Sequence, residues 1–158
     1  MGYCVHYNLH LKISKKNRKE ALRIFNYLHT DEMLEKYARG GSFGGASEKK
    51  PVRERKWYSW VTNPEKPYET LIEAFENWGI VDSPYFDGEN DDENDFEISG
   101  EYSDKLGQQD FLIKMLAPVL KNTVIYIIGE DNACFAWVVN NGQFSYKDLS
   151  IHLDEDVE

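Results

Sequence analysis

The stretch Thr123–Phe144 (TVIYIIGEDNACFAWVVNNGQF) constrains this chain most. Two apolar runs, Val124–Ile128 and Cys134–Val139, flank the polar segment Gly129–Asn132, and Asn141-Gly142 comes after the second run. Runs of this length, rich in β-branched and aromatic residues and separated by turn chemistry, form a β-hairpin. Asn-Gly is the residue pair best suited to a two-residue turn in which both positions need positive φ. The stretch predicts a central hairpin, with Tyr126, Phe135 and Trp137 supplying core.

A second strand is written at the start of the chain. From Tyr3 to Ile13, Tyr3, Val5, Tyr7, Leu9, Leu11 and Ile13 share one face, and Cys4, His6, Asn8, His10 and Lys12 share the other. Strict period-two alternation is the pattern of a half-buried strand. Ser14 is placed to cap a helix. Ala21, Leu22, Phe25, Leu28 and Leu34 then give a helical period to about Ala38, with a break at His29-Thr30-Asp31. Arg39–Lys56 carries four glycines, a proline and clustered basic residues, and predicts a flexible loop. Further on, Trp57–Val61 has strand character, and Pro67 introduces a helix over Tyr68–Trp78 that Gly79 closes. Phe96–Tyr102 alternates as a strand, Gln109–Leu120 is helical until Pro118 stops it, and Leu149–Leu153 is a short final strand or tail.

The order β-α-β-α-β-α-β-β, ending in a hairpin, predicts a single α+β domain over residues 1–158. Its sheet is mainly antiparallel or mixed, with two or three helices, in a ferredoxin-like or related sandwich.

Length and composition agree with one globular domain, because 158 residues with 41% hydrophobic and 14% aromatic residues can bury a core. No apolar run approaches a membrane span, and the N-terminus lacks the charged start and apolar core of a signal peptide. A cytoplasmic protein is expected. There Cys4 and Cys134 act as small buried hydrophobes, with no disulfide.

Charge is distributed unevenly. The first 60 residues hold 13 Lys and Arg against 6 Asp and Glu, and the remaining 98 hold 5 against 22, for a net −10. Such asymmetry bears on partners and self-association, not on fold. Asp82–Asp104 carries ten carboxylates and no Lys or Arg, with an acidic loop at 82–95. Within it Asp87, Glu89, Asp91, Asp92, Glu93, Asp95 and Glu97 can present negative charge to a basic surface on a partner protein. An EF-hand reading fails. Counting from Asp87, the sixth residue is Asp92 where the loop needs glycine, and the twelfth is Ile98 where it needs glutamate.

Two other constellations carry chemistry. His6, Asn8 and His10 lie on one strand face and are the candidates for a small nuclease or phosphoesterase. Lys49, Lys50, Arg53, Arg55 and Lys56, with Trp57 behind them, could hold single-stranded nucleic acid by phosphate contacts and stacking. The glycines at 40, 41, 44 and 45 leave a helix and lead to a strand, with no Gly-Lys-Ser/Thr after them, so they are not a P-loop. No zinc spacing, Ser/His/Asp set or dinucleotide fingerprint is present, and neither metal nor cofactor is expected.

Phe111-Leu112, Leu116-Ala117-Pro118, Ile125-Tyr126-Ile127, Gly129-Glu130-Asp131, Phe135-Ala136-Trp137-Val138 and Asn141-Gly142 together resemble a pattern in small uncharacterised proteins of bacteriophages and gut bacteria. Trp57-Tyr58-Ser59-Trp60 and Asn77-Trp78-Gly79 resemble pieces of plasmid and phage ferredoxin-like proteins. The chain departs from the first pattern at Asn132, where the turn has glycine, and at Phe135, where it has tryptophan. The resemblance implies a mobile-element origin and an α+β fold, and it carries no activity.

Together these features point to a non-enzymatic acidic binding protein of phage type. It would inhibit or modulate a host protein, such as a defence nuclease, through a basic surface on that protein. The histidine enzyme and the nucleic-acid binder are the alternatives, and oligomeric state is open.

Overall fold

The computed structural model describes residues 4–38, 50–57, 61–80, 94–105 and 108–150. Among them the chain forms β1 (Cys4–Ile13), α1 (Arg18–Tyr27), α2 (Asp31–Tyr37), α3 (Leu71–Asn77), β2 (Phe96–Lys105), α4 (Gln109–Leu116), β3 (Thr123–Gly129), β4 (Cys134–Asn140) and β5 (Gln143–Leu149). Short 3-10 turns sit at Lys15–Asn17, Val52–Glu54 and Ala117–Val119. The five strands make one sheet in the order β2-β1-β3-β4-β5, and all four pairings are antiparallel. The fold is α+β with an antiparallel sheet.

Both β2 and β3 run antiparallel to β1, so they are parallel to each other, joined by α4 with β1 wedged between them. That is a split β-α-β unit. Among the described residues it occurs once, and the chain then continues as the β3-β4-β5 meander. The described element order is β-α-α-α-β-α-β-β-β, not the β-α-β-β-α-β of a ferredoxin-like sandwich.

The central hairpin forms. Gly129 N–H bonds to the carbonyl of Ala133 at 2.8 Å, and Asn132 has φ 63°. Asn141 and Gly142 take φ 51° and 79°, the two positive values of a tight two-residue turn. Past this turn the chain departs from expectation. Among the described residues the last strand is Gln143–Leu149, a strand the sequence does not predict, and Leu149 is its final residue. Residues 151–153 lie outside the described residues.

Other boundaries shift for local reasons. The break at His29-Thr30-Asp31 is real, because Thr30 Oγ1 accepts the Met33 N–H at 3.4 Å and starts α2 afresh. Ser14 makes no side-chain cap, and its carbonyl accepts the Asn17 N–H instead. Pro67 does not open α3. The Asn26 side chain takes the Tyr68 N–H at 2.7 Å and donates to the Tyr68 carbonyl at 3.3 Å, holding that stretch out of the helix. Thr70 is the cap, its Oγ1 accepting the Glu73 N–H at 3.2 Å. Gly79, with φ 71°, closes α3 as expected. Trp57 lies in a bend and Val61 in irregular chain, so neither sits in a strand, and residues 58–60 lie outside the described residues.

The helices cover one face of the sheet. Val5, Tyr7, Leu9, Leu11 and Ile13 of β1, Ile125 and Ile127 of β3, and Phe135, Trp137 and Val139 of β4 point into a single core with Phe25, Leu28, Phe75, Trp78, Leu112 and Leu116. Trp57 is fully enclosed, with Phe111 stacked on it at 5.2 Å, Trp78 at 5.5 Å, and its indole N–H bonded to the Leu28 carbonyl.

The opposite phase of each strand belongs to the other face. Tyr126 therefore supplies no core: it is 52% exposed, because Ile125 and Ile127 take the inward positions of β3. Cys4 is exposed and Cys134 half-buried, in place of the buried thiols expected, and no disulfide joins them.

Candidate functional site

Alternation of side chains fixes the composition of the sheet face that no described helix covers. β1 contributes Cys4, His6, Asn8, His10 and Lys12. Register brings Ser103 opposite His6, Glu101 opposite Asn8, Ser99 opposite His10 and Glu97 opposite Lys12. On the other side of β1, Ile128 lies opposite His6 and Tyr126 opposite Asn8. β4 then places Val138 opposite Val124, Ala136 opposite Tyr126 and Cys134 opposite Ile128. The face is thus divided into a polar half on β1–β2 and an apolar half on β3–β4. Val124, Tyr126 and Ile128 are 38%, 52% and 45% exposed. Exposed apolar side chains gathered on one surface, with a polar margin, mark an interaction site more often than scattered ones do.

On the polar half each histidine meets a carboxylate diagonally across the strand pair. His6 Nε2 lies 3.5 Å from Glu101 and its Nδ1 2.9 Å from Ser103 Oγ, while His10 Nε2 lies 3.1 Å from Glu97. Four residues of strand separate the two histidines by about 13 Å. They form two separate His–Glu pairs along one strand face. Asn8 lies between them, exposed. Among the described residues no group of three or more His, Cys, Asp or Glu is arranged to hold a metal ion.

The acidic candidates divide. Asp87, Glu89, Asp91, Asp92 and Glu93 lie outside the described residues. Asp95 accepts the Lys15 backbone N–H at 2.8 Å and stands 3.2 Å from Lys121 Nζ and 3.9 Å from Lys12. That backbone hydrogen bond, then the Lys121 contact, holds its carboxyl below the usual range. Glu97 is on β2, paired with His10.

Of the basic candidates, Arg53 and Arg55 bond within the chain. Lys49 lies outside the described residues, and the Lys50 carbonyl accepts from Arg55 Nε at 3.1 Å. Arg53 donates to the His29 carbonyl and to Asp31 at 3.2 Å, and Arg55 also reaches the Glu35 carbonyl. Lys56 is half-buried and Trp57 wholly buried, with Phe111 and Trp78 packed against its ring.

Their anchor is His29, a residue that no sequence pattern singles out. Buried among aromatics, it has Nδ1 2.8 Å from Asn63 Oδ1, and Nε2 2.7 Å from the Tyr68 hydroxyl and 3.3 Å from the Trp78 indole N–H. An indole nitrogen can only donate, so Nε2 accepts and Nδ1 carries the proton. Burial pushes the His29 pKa down to about 4 and that of Tyr68 up to about 12. Asn63 in turn donates to the Arg53 and Arg55 carbonyls at 3.0 and 2.7 Å. The knot is closed and internally satisfied, a tie between the α1–α2 junction and the 50–57 segment.

No protein-family model matches the chain, and neither a curated protein nor a solved structure matches it. No described helix is long and apolar enough to cross a membrane.

Proposed function

We propose that this chain is a non-enzymatic binding protein of phage or mobile-element type. It inhibits or modulates a host protein, for example a defence nuclease, by direct contact. One observation carries the reading: the sheet face that no described helix covers sets Val124, Tyr126 and Ile128 beside a margin that includes Glu97 and Glu101. An apolar centre excludes water and supplies affinity, while a polar margin sets orientation. The acidic segment that ends at Asp95 and Glu97 favours a partner with a basic surface, through steering that salt weakens.

The test compares three tagged proteins in the native host: wild type, Tyr126→Asp/Ile128→Asp, and Asp91→Asn/Asp92→Asn/Glu93→Gln/Asp95→Asn. Wild type is expected to retain a protein that the first variant loses. The second variant should bind the same protein more weakly, with a shallower salt dependence when the pair is titrated at two ionic strengths. Identical retention by all three would overturn the proposal.

A further inference from the structure

Among the described residues β5 is an edge of the sheet, and the hairpin register fixes which of its backbone groups face outward. Asn140 and Gln143 close the two-residue turn, which makes them a hydrogen-bonded pair. Hydrogen-bonded and non-hydrogen-bonded pairs alternate along an antiparallel ladder. Gln143, Ser145, Lys147 and Leu149 therefore spend their N–H and C=O groups on β4, and those of Phe144, Tyr146 and Asp148 point away from the sheet. Among the described residues nothing pairs with this outer row. The usual protections of an edge are thin, since β5 is seven residues long without proline, glycine or bulge, and Lys147 is its one lysine.

We propose that β5 pairs antiparallel with β5 of a second copy, about a twofold axis at Ser145, to give a continuous ten-stranded sheet. Side-chain complementarity selects both occupant and register. Centred on Ser145, the pairing sets Phe144 against the partner's Tyr146 twice and Lys147 against the partner's Gln143 twice, with the two small serines facing at the middle. Aromatic pairs opposite one another across strands are stabilising. Centring on Tyr146 would put Phe144 against a carboxylate, and centring on Lys147 would put two ammonium groups face to face. Charge permits a copy as occupant as well. In a chain of net −10, β5 holds one Lys and one Asp, and the Asp148 carboxylate accepts the Tyr146 hydroxyl at 3.0 Å, so the strand itself brings no net charge to the contact. A twofold contact of this kind closes on itself and does not propagate.

Sedimentation velocity over a concentration series is the first measurement. The mass is expected to rise from 18.4 kDa towards twice that value, and to rise further in higher salt, which screens the like net charge. Binding of a basic partner by the acidic surface should weaken under the same change, so failure of one idea is distinguishable from failure of the other. Tyr146→Pro removes an outward N–H that the fold does not use, and should hold the protein at 18.4 kDa with its circular dichroism unchanged.

In a Cys4→Ser/Cys134→Ser background, Ser145→Cys should cross-link on mild oxidation, since facing residues of a non-hydrogen-bonded pair stand about 4.5 Å apart at Cα. Lys147→Cys, facing Gln143, should not. A constant 18.4 kDa at every concentration overturns the proposal. So does a dimer that survives Tyr146→Pro, or one that fails to cross-link through Ser145→Cys.

Discussion

Among the described residues the buried His29 and the surface pair His6 and His10 have opposite environments, and the contrast separates what holds the fold from what is available to act. His29 sits among Tyr68, Trp78 and Asn63 with its ring nitrogens occupied and its pKa pressed down to about 4. His6 and His10 stand on an uncovered sheet face, each touching one exposed glutamate. A histidine in a closed network is stabilising because it stays neutral, whereas one on an open surface contributes little to stability and keeps its contacts available. The same division runs along β1 itself, where alternate residues belong to the core and to solvent.

The largest effect should come from the buried side. Trp57→Ala removes a fully enclosed ring and its bond to Leu28, and should cost about 3–5 kcal/mol in urea unfolding at pH 7. Acid should produce the next largest. The folded-state pKa of His29 lies below its unfolded value of about 6.5, so this stability is present above pH 6.5 and is lost as pH falls towards 4. The loss is on the order of 3 kcal/mol, and unfolding midpoints at pH 7 and pH 4 read it. His29→Ala should start lower at pH 7, because it removes a buried ring and the Nε2 acceptor that the Tyr68 hydroxyl and the Trp78 N–H share, and its midpoint should fall less with acid.

On the open face Tyr126→Ala should move stability by no more than about 0.5 kcal/mol while weakening partner binding, a split that a core residue cannot give. The smallest effect belongs to His6→Ala/His10→Ala, whose melting temperature should match wild type. Loss in that variant of a nuclease activity present in the wild-type protein would break the contrast and favour an enzyme.

Sequence conveys the strands with clear alternation and leaves the rest to tertiary contacts. The alternation written over Tyr3–Ile13 and Phe96–Tyr102 marks the strands β1 (Cys4–Ile13) and β2 (Phe96–Lys105), and the Asn-Gly turn lies where its dihedral demand puts it. The run Val124–Ile128 is apolar at every position, so periodicity cannot say which phase faces the helices, and the core position expected for Tyr126 is on the wrong side. β5 escapes because an edge strand buries little: Gln143, Ser145, Lys147 and Asp148 give no apolar run, although Phe144 and Tyr146 carry the period. Trp57 and Trp60 suggest a strand by composition. The Trp57 side chain fills a hole between Trp78 and Phe111, which no local pattern encodes. The His29 knot is invisible for the same reason, since its partners lie 34 to 49 residues away. Within the candidate site, His6, His10 and Glu97 can be read from the sequence, but their pairing and the apolar half beside them require the register.

Placing β1 between β2 and β3 also sets the order in which the molecule can assemble. The β3-β4-β5 meander closes with local turns and can form early, but the first strand made finds its neighbours 83 to 124 residues later, from Ile13 opposite Phe96 to Val5 opposite Gly129. At ribosomal speed that is on the order of ten seconds during which an apolar strand has no sheet to join. Closing so long a loop also slows refolding. Chaperone demand during synthesis should therefore fall mainly on the first strand, and polar substitutions at Leu9 or Leu11 would reduce that demand only by sacrificing the native core.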